Sequence, residues 1–396
     1  MGACGWPDGT RLMATAPEDH PLPDQIEGAP HPSQTATLFG QSRAEADFLD
    51  AFTTGRLHSG WLITGPQGVG KATLAWRMAA FLLSHPMDAA DDMFGAPPPP
   101  TSLDVSPDNG DVALLHAGAH PRLFIVRRAM NATDSALQDQ ITMAALRGHK
   151  GGSNKLMDFL HQSAADGGRR VVIIDAADDM NPSVANSILK VLEEPPKDTF
   201  FLLVSHQPSR LLPTIRSRCR ILRCGLLNEV DVTAALAQAD IHTDTGAALT
   251  ALSGGSVGEA IRLTNMDGLA LYDELMFLFG GLPRFDRPRA LRIADSCTGK
   301  AGSTRFALTL DLIDKFLSRT ARAGLQGPPD IQAAKGEAVL LSKLSPNDYA
   351  ARKWAALAQD VSDRTRHGKA VNLDPAALIL DTLFKIEQVA LDVAAT

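Results

Sequence analysis

The sequence predicts an α/β fold over roughly its first 226 residues, a parallel sheet with helices on both faces, and an all-helical remainder. Three observations carry that expectation. Five short apolar runs rich in branched and aromatic residues punctuate the first half, with helical spacing between them. A glycine-rich loop joins the first run to the next helix. Beyond residue 226 the strand signal ends while helical periodicity continues.

Residues 1–30 read as a flexible leader, with no apolar stretch of signal-peptide length, and Trp6 stands where a myristoylation signal at Gly2 needs Ser or Thr. The strands are expected at Trp61 to Thr64, Leu123 to Val126, Val171 to Ile174, Phe200 to Val204 and Ile221 to Leu222, nearly continuous apolar runs of the kind buried parallel strands have. A helix from Lys71 to Leu83 follows the loop, and a proline-rich stretch from 85 to 121 reads as a mobile surface insertion. In "NPSVANSILKVLEEPP" the residues Val184, Ile188, Val191 and Leu192 fall on one helical face, Asn181 and Pro182 start the helix, and Pro195-Pro196 stop it. Short helices broken by Gly254-Gly255 are expected over 227–283. From 284 to 396 longer ones follow, with Phe306, Leu310, Ile313 and Leu317 on one face and Asp374-Pro375 opening the last.

Composition narrows the function. A chain of 396 residues exceeds the size of one core, so two or three domains are expected. With 38 basic against 45 acidic side chains, net −7, the surface has no general attraction for nucleic acid, and any such contact must be local. Cys4, Cys219, Cys224 and Cys297 lack the spacing of a zinc site or disulfide framework, which fits a reducing cytoplasm. No membrane span is expected, since no apolar run reaches ~18 residues.

The chemistry gathers at "GPQGVGKATLA". A G-x-x-x-x-G-K-[ST] loop wraps phosphate with backbone N–H groups, adds the lysine charge and holds Mg²⁺ with the hydroxyl. Gly65, Gly68, Gly70 and Lys71 fit, and the strand before and helix after supply the required context. Position 72, however, is alanine, and Thr73 lies about 100° further round the helix. The acidic strand end "VVIIDAADDM" places Asp175 to hold the metal through water, but Ala176 stands where an attacking water would be polarised; Asp178 and Asp179 are expected to be solvated caps. The candidate nucleotide-binding residues are thus Gly65, Gly68, Gly70, Lys71, Thr73 and Asp175, in a site that turns nucleotide over very slowly if it binds it at all.

The phosphate loop, Asp175-Ala176-Ala177-Asp178, Leu192-Glu193-Glu194-Pro195-Pro196 and Ser217-Arg218-Cys219, in this order and spacing, resemble bacterial clamp-loader AAA+ subunits of DNA polymerase III. Arg56-Leu57-His58, His120-Pro121 and Asn372-Leu373-Asp374 extend the likeness from about His31 to the C-terminus. The resemblance implies a RecA-like AAA+ domain (31–226), a helical lid (227–283) and an all-α collar (284–396) that joins a five-subunit ring. It implies gamma/tau and delta subunits as partners, with the sliding clamp and primer-template DNA reached through the assembly. The degraded loop places the chain with the non-hydrolysing stator of that ring; an active gamma/tau-type motor is the alternative. Arg218 is implied to act in trans as an arginine finger in a neighbour's pocket. Many relatives carry a four-cysteine zinc module after the first helix, absent here, so zinc is not expected; no cofactor is required, with weak ATP or ADP binding left open. Gly258 stands where motors of this class place a sensor arginine.

Plainer readings stand beside these. Arg216, Arg218, Arg220 and Arg223 could form a solvated basic edge, and Glu193 and Glu194 are expected to end a helix and make surface or inter-subunit contacts rather than form an acid–base pair. Lys71 is either a phosphate ligand or a leftover paired with Asp175. His116 and His120 read as a loop pair rather than metal ligands, and Cys219 as a small buried residue. Arg127, Arg128, Arg147, Lys150 and Lys155 are candidates for DNA phosphates or ordinary surface charge. A P-loop kinase of small metabolites leaves the L-E-E-P-P helix and helical C-terminal third without a role.

Overall fold

The computed structural model describes residues 25–85, 99–130, 137–147, 156–161, 168–371 and 373–395. Helix α1 (Ser42–Thr53) leads into β1 (Gly60–Thr64), and the glycine loop passes the chain to α2 (Lys71–Ser84). Then come α3 (Gly110–His116), β2 (Leu123–Arg127), α4 (Leu156–His161), β3 (Arg170–Asp175), α5 (Pro182–Glu193), β4 (Thr199–Ser205), α6 (Pro213–Ser217) and β5 (Arg220–Arg223). All five strands pair in parallel, in the order β2-β3-β4-β1-β5.

Successive strand side chains point to opposite faces, so this sheet builds two cores. Trp61, Ile63, Val171, Ile173, Leu202 and Val204 pack with α1 and α2. Leu62, Val172, Ile174, Phe201 and Leu203 pack with α4 and α5. Each apolar side chain so buried contributes ~1.5–3 kcal/mol relative to exposure, which is why the strands tolerate almost no polar residue. Helix α5 begins as its sequence dictates, the Asn181 side chain accepting from Val184 N at 2.9 Å, and buries Val184, Ile188, Val191 and Leu192.

The stretch 85–121 departs from expectation. Residues 86–98 lie outside those described, but 110–116 form a helix whose Val112 and Leu115 are buried, with Leu103 beside them. Asn109 caps it through Asp111 N. His116 is the last residue of that helix, not part of a loop pair, and His120 is buried with Nε2 3.0 Å from Asp111, which Arg122 also pairs at 3.1 Å. A segment that composition marks as mobile is therefore partly core, because its few apolar residues are spaced to reach α2.

After β5 come α7 (Glu229–Gln238), α8 (Gly246–Ser253), α9 (Val257–Asn265) and α10 (Gly268–Gly280), then α11 (Arg287–Asp295), α12 (Gly299–Gln326), α13 (Glu337–Leu344), α14 (Asp348–Ala370) and α15 (Pro375–Ala394). Phe306, Leu310, Ile313 and Leu317 form the buried face of α12, and Asp374 caps α15 through Ala377 N; Asn372 lies outside the described residues. The core around α2 continues without a break through α8–α10 to α12 and α15. Between those helix groups the Glu337 carboxylate, fully buried, accepts from Tyr272 Oη (2.8 Å), Arg319 Nε (2.6 Å), Arg319 Nη2 (2.9 Å) and Ala333 N (2.6 Å). Arg319 also donates to Ala251 O in α8 at 3.3 Å. Among the described residues no helix is long and apolar enough to cross a membrane.

Candidate functional site

The carboxyl end of β1 opens into the glycine loop, where Gly65, Gly68 and Gly70 all hold positive φ (149°, 76° and 93°). That conformation turns successive N–H groups inward and suits glycine alone. The loop is braced by a residue that sequence reasoning missed. Gln41, 3% exposed, donates to Val69 O (3.0 Å) and Gly225 O (2.9 Å) and accepts from Gly225 N (3.0 Å), tying the loop to the chain leaving β5. Periodicity carries no trace of such a role, since Gln41 sits just before α1 where a polar residue passes for a cap.

Lys71 is turned inward. It is 2% exposed and its ammonium donates to Pro66 O within its own loop. Burial brings its pKa down to about 8, opposed by Cys224, Asp175 and Asp178. Thr73 is buried one position beyond Ala72, which offers no hydroxyl.

The N-terminus of α9 sits directly on the loop. Ser256 Oγ donates to Gln67 O and Gly258 N to Gly68 O, both at 2.9 Å. A Cβ at position 258 would stand 3.0 Å from Gly68 Cα and 2.7 Å from Ile26 Cδ1, so only glycine allows this approach. The segment before α1 laces the same helices down: Thr37 and the Gln238 side chain exchange two hydrogen bonds (2.8 and 3.0 Å), and Asn265 Nδ2 donates to Glu27 O at 2.6 Å. Further along α9, Arg262 pairs with Glu259 and with Asp311 of α12, each at 2.8 Å, and Lys315 of α12 reaches Glu259 at 3.0 Å. Burial opposes the charge on Glu259, but the Arg262 hydrogen bond and Lys315 hold its carboxyl below the usual range. Helix α9 is thus fastened to the loop at one end and to α12 along its length. Between loop, α9 and the leading segment lies a cavity of about 700 Å³ whose lining includes Lys71, Thr73, Arg128, Asp175, Asp179 and His206.

Asp175 ends β3 and lines that cavity, with the buried Ala176 beside it. Asp178 and Asp179 are not solvated caps. Asp178 accepts from Ser205 Oγ (2.7 Å), His206 N (2.5 Å) and Gln207 N (3.2 Å), stitching β3 to the end of β4. Asp179 pairs with Arg128 at 3.4 Å, and burial raises its pKa. Both were misread because carboxylates after a strand look like solvent groups until the neighbouring strand is placed. His206 is held down to about pKa 4 by burial and by Lys71, and so stays neutral. Among the described residues no three His, Cys, Asp or Glu side chains converge as a metal cage.

Arg218 lies at the other rim. It follows α6 and precedes β5, whose first residue, Arg220, pairs with Trp61 near the start of β1, while the glycine loop leaves the end of that strand. A five-residue strand separates the rims by roughly 16 Å. The L-E-E-P-P and S-R-C motifs meet here because position 60 is glycine: a Cβ there would stand 3.1 Å from Arg218 O and 3.2 Å from both Cys219 Sγ and Leu192 Cδ2. Arg218 Nη2 is 2.9 Å from Glu193 Oε1, and Nη1 donates to Thr214 O at 3.1 Å. The basic edge is not uniformly solvated, since the Arg220 guanidinium lies 5.2 Å over the Trp61 ring. Burial pushes the Cys219 thiol up to about 12, which excludes a thiolate nucleophile at neutral pH. Of the basic candidates for DNA, Arg128 is committed to Asp179, and Lys150 and Lys155 lie outside the described residues.

Three kinds of known protein resemble this chain. Residues 40–227 match the family described as DNA polymerase III, delta subunit. The delta' subunit of Pseudomonas aeruginosa is 38% identical over 205 residues, 51% of this chain and 55% of that protein. The Escherichia coli delta' subunit is 28% identical over 218 residues, 55% and 58% of the two chains. A DNA polymerase III gamma subunit-related protein of Thermotoga maritima aligns over 87% of this chain and 99% of its own, with 16% identity and a TM-score of 0.36. The chain spans little more than half the length of the delta' relatives it matches. Residues 40–227, with their parallel sheet, glycine loop and Ser217-Arg218-Cys219 turn, are thus similar to delta' subunits of DNA polymerase III.

Proposed function

We propose that this chain is the stator of a clamp loader: it assembles with gamma/tau and delta subunits in the cytoplasm, helps place the sliding clamp on primer-template DNA, and hydrolyses no ATP itself. One observation carries the reading. The loop's lysine and two of its carbonyls are engaged within the protein, with Lys71 donating to Pro66 O and Ser256 and Gly258 donating to the carbonyls of Gln67 and Gly68. A nucleotide needs that lysine outward and a metal ligand at position 72, and neither is offered. Lys71 reads as a leftover, and Gly65, Gly68, Gly70, Thr73 and Asp175 as a vestigial cradle with at most weak hold on ATP or ADP and no zinc.

Arg218, on the opposite rim, is too far to serve its own loop, which supports a role in a neighbour's pocket. Arginine fingers contribute on the order of 10³ to 10⁵ in rate at the site they complete. The test is ATP hydrolysis by the purified chain, expected at background, and by the complex reconstituted with gamma/tau and delta, expected to be stimulated by clamp and primed DNA and lowered by Arg218→Ala. Turnover by the chain alone that disappears in Lys71→Ala rejects the stator in favour of a gamma/tau-type motor.

A further inference from the structure

We infer that Glu193 is the positioning residue for Arg218: its carboxylate fixes the guanidinium in the orientation presented across the subunit interface. The inference rests on the proposed role of Arg218 and adds a residue to it.

An arginine at a surface turn has several rotatable bonds and explores many orientations, and whatever order it lacks must be supplied when the neighbour's phosphate arrives. Here the order is built in. Glu193 is the last residue of α5 and Arg218 the residue closing α6, and the two helix ends are drawn together over Gly60. Glu193 Oε1 takes Arg218 Nη2 at 2.9 Å, and Thr214 O takes Nη1 at 3.1 Å. A guanidinium has five N–H donors, and these two contacts engage one on each terminal nitrogen. Nε–H and one N–H on each terminal nitrogen are left for an incoming oxyanion. Two anchors with three donors remaining is a presenting arrangement rather than a masking one. Arg218 is 36% exposed and Glu193 43%, so the pair lies at a surface that a neighbouring subunit can cover.

Exposed ion pairs are individually weak, so the contribution is a modest rate factor beside that of the arginine itself. In the reconstituted complex with clamp and primed DNA, Glu193→Ala is expected to lower kcat for ATP by roughly two- to five-fold, with KM within about two-fold. Glu193→Gln keeps an acceptor without the charge, so its kcat should fall between wild type and Glu193→Ala. In an Arg218→Ala background the Glu193→Ala change should have no further effect. The mass of each complex verifies that all variants assemble.

Wild-type kcat in Glu193→Ala and Glu193→Gln complexes, with Arg218→Ala impaired, overturns the positioning role and leaves the finger intact. A rise in kcat overturns it too, since Glu193 would then be restraining the arginine. Effects of Glu193→Ala and Arg218→Ala that multiply in the double variant mean Glu193 acts elsewhere. Arg218→Ala without effect removes the finger reading itself, a separate result.

Discussion

Replacing Lys71 by methionine should stabilise the chain at neutral pH. The ammonium is buried and carries its charge at a penalty: a pKa brought from 10.5 to about 8 corresponds, at about 1.36 kcal/mol per unit, to about 3 kcal/mol against the charged folded form. Losing the bond to Pro66 O offsets ~1 kcal/mol of that, leaving a gain of about 2 kcal/mol. The sign has a pH signature. The folded-state value lies below the unfolded one, so the penalty is complete below about pH 8 and is relieved as pH rises through 8 towards 10.5, where the unfolded chain still binds the proton. Urea unfolding at pH 7 and pH 10 measures both effects. Lys71→Met should be the more stable protein at pH 7, and the difference should shrink at pH 10. A variant less stable than wild type at pH 7, with an unchanged pH slope, would mean that the lysine is held by favourable contacts and not trapped.

Gly258→Ala puts a methyl group 3.0 Å from Gly68 Cα, and because that neighbour is backbone, overpacking should cost ~1–3 kcal/mol, read as a lower urea midpoint with unchanged slope. Arg319→Met strips two donors from the fully buried Glu337 carboxylate and should cost ~3–5 kcal/mol, whereas Arg366→Met, which removes an exposed pair with Asp363, should change stability by less than ~1 kcal/mol in the same assay.

Local features were legible in the sequence wherever the physics is local. All five apolar runs became strands, since buried parallel strands announce themselves by continuous Val, Ile, Leu and Phe. The caps at Asn181 and Asp374 were readable because a cap and its N–H partner lie three residues apart. Contacts that decide the site are long-range and were hidden. Gln41 to Gly225 spans 184 residues, Ser256 to Gln67 spans 189, and nothing in the local pattern of either partner marks them. Asp178 was misjudged for the same reason, since its partners sit at the end of another strand. Residue identities at 72 and 176 could be read as missing ligands, but not that the lysine between strand and helix had turned away.

The contact between Gly258 and Gly68 also limits which residues position 258 can carry. Installing a motor-type arginine at 258 first demands that backbone at 68 retreat and Ile26 be vacated, and those changes remove the bonds that hold α9 on the loop. Any side chain at 258 therefore gives a less stable protein. Loop and helix thus move as one unit, and no side chain at 258 can part them without a cost in stability.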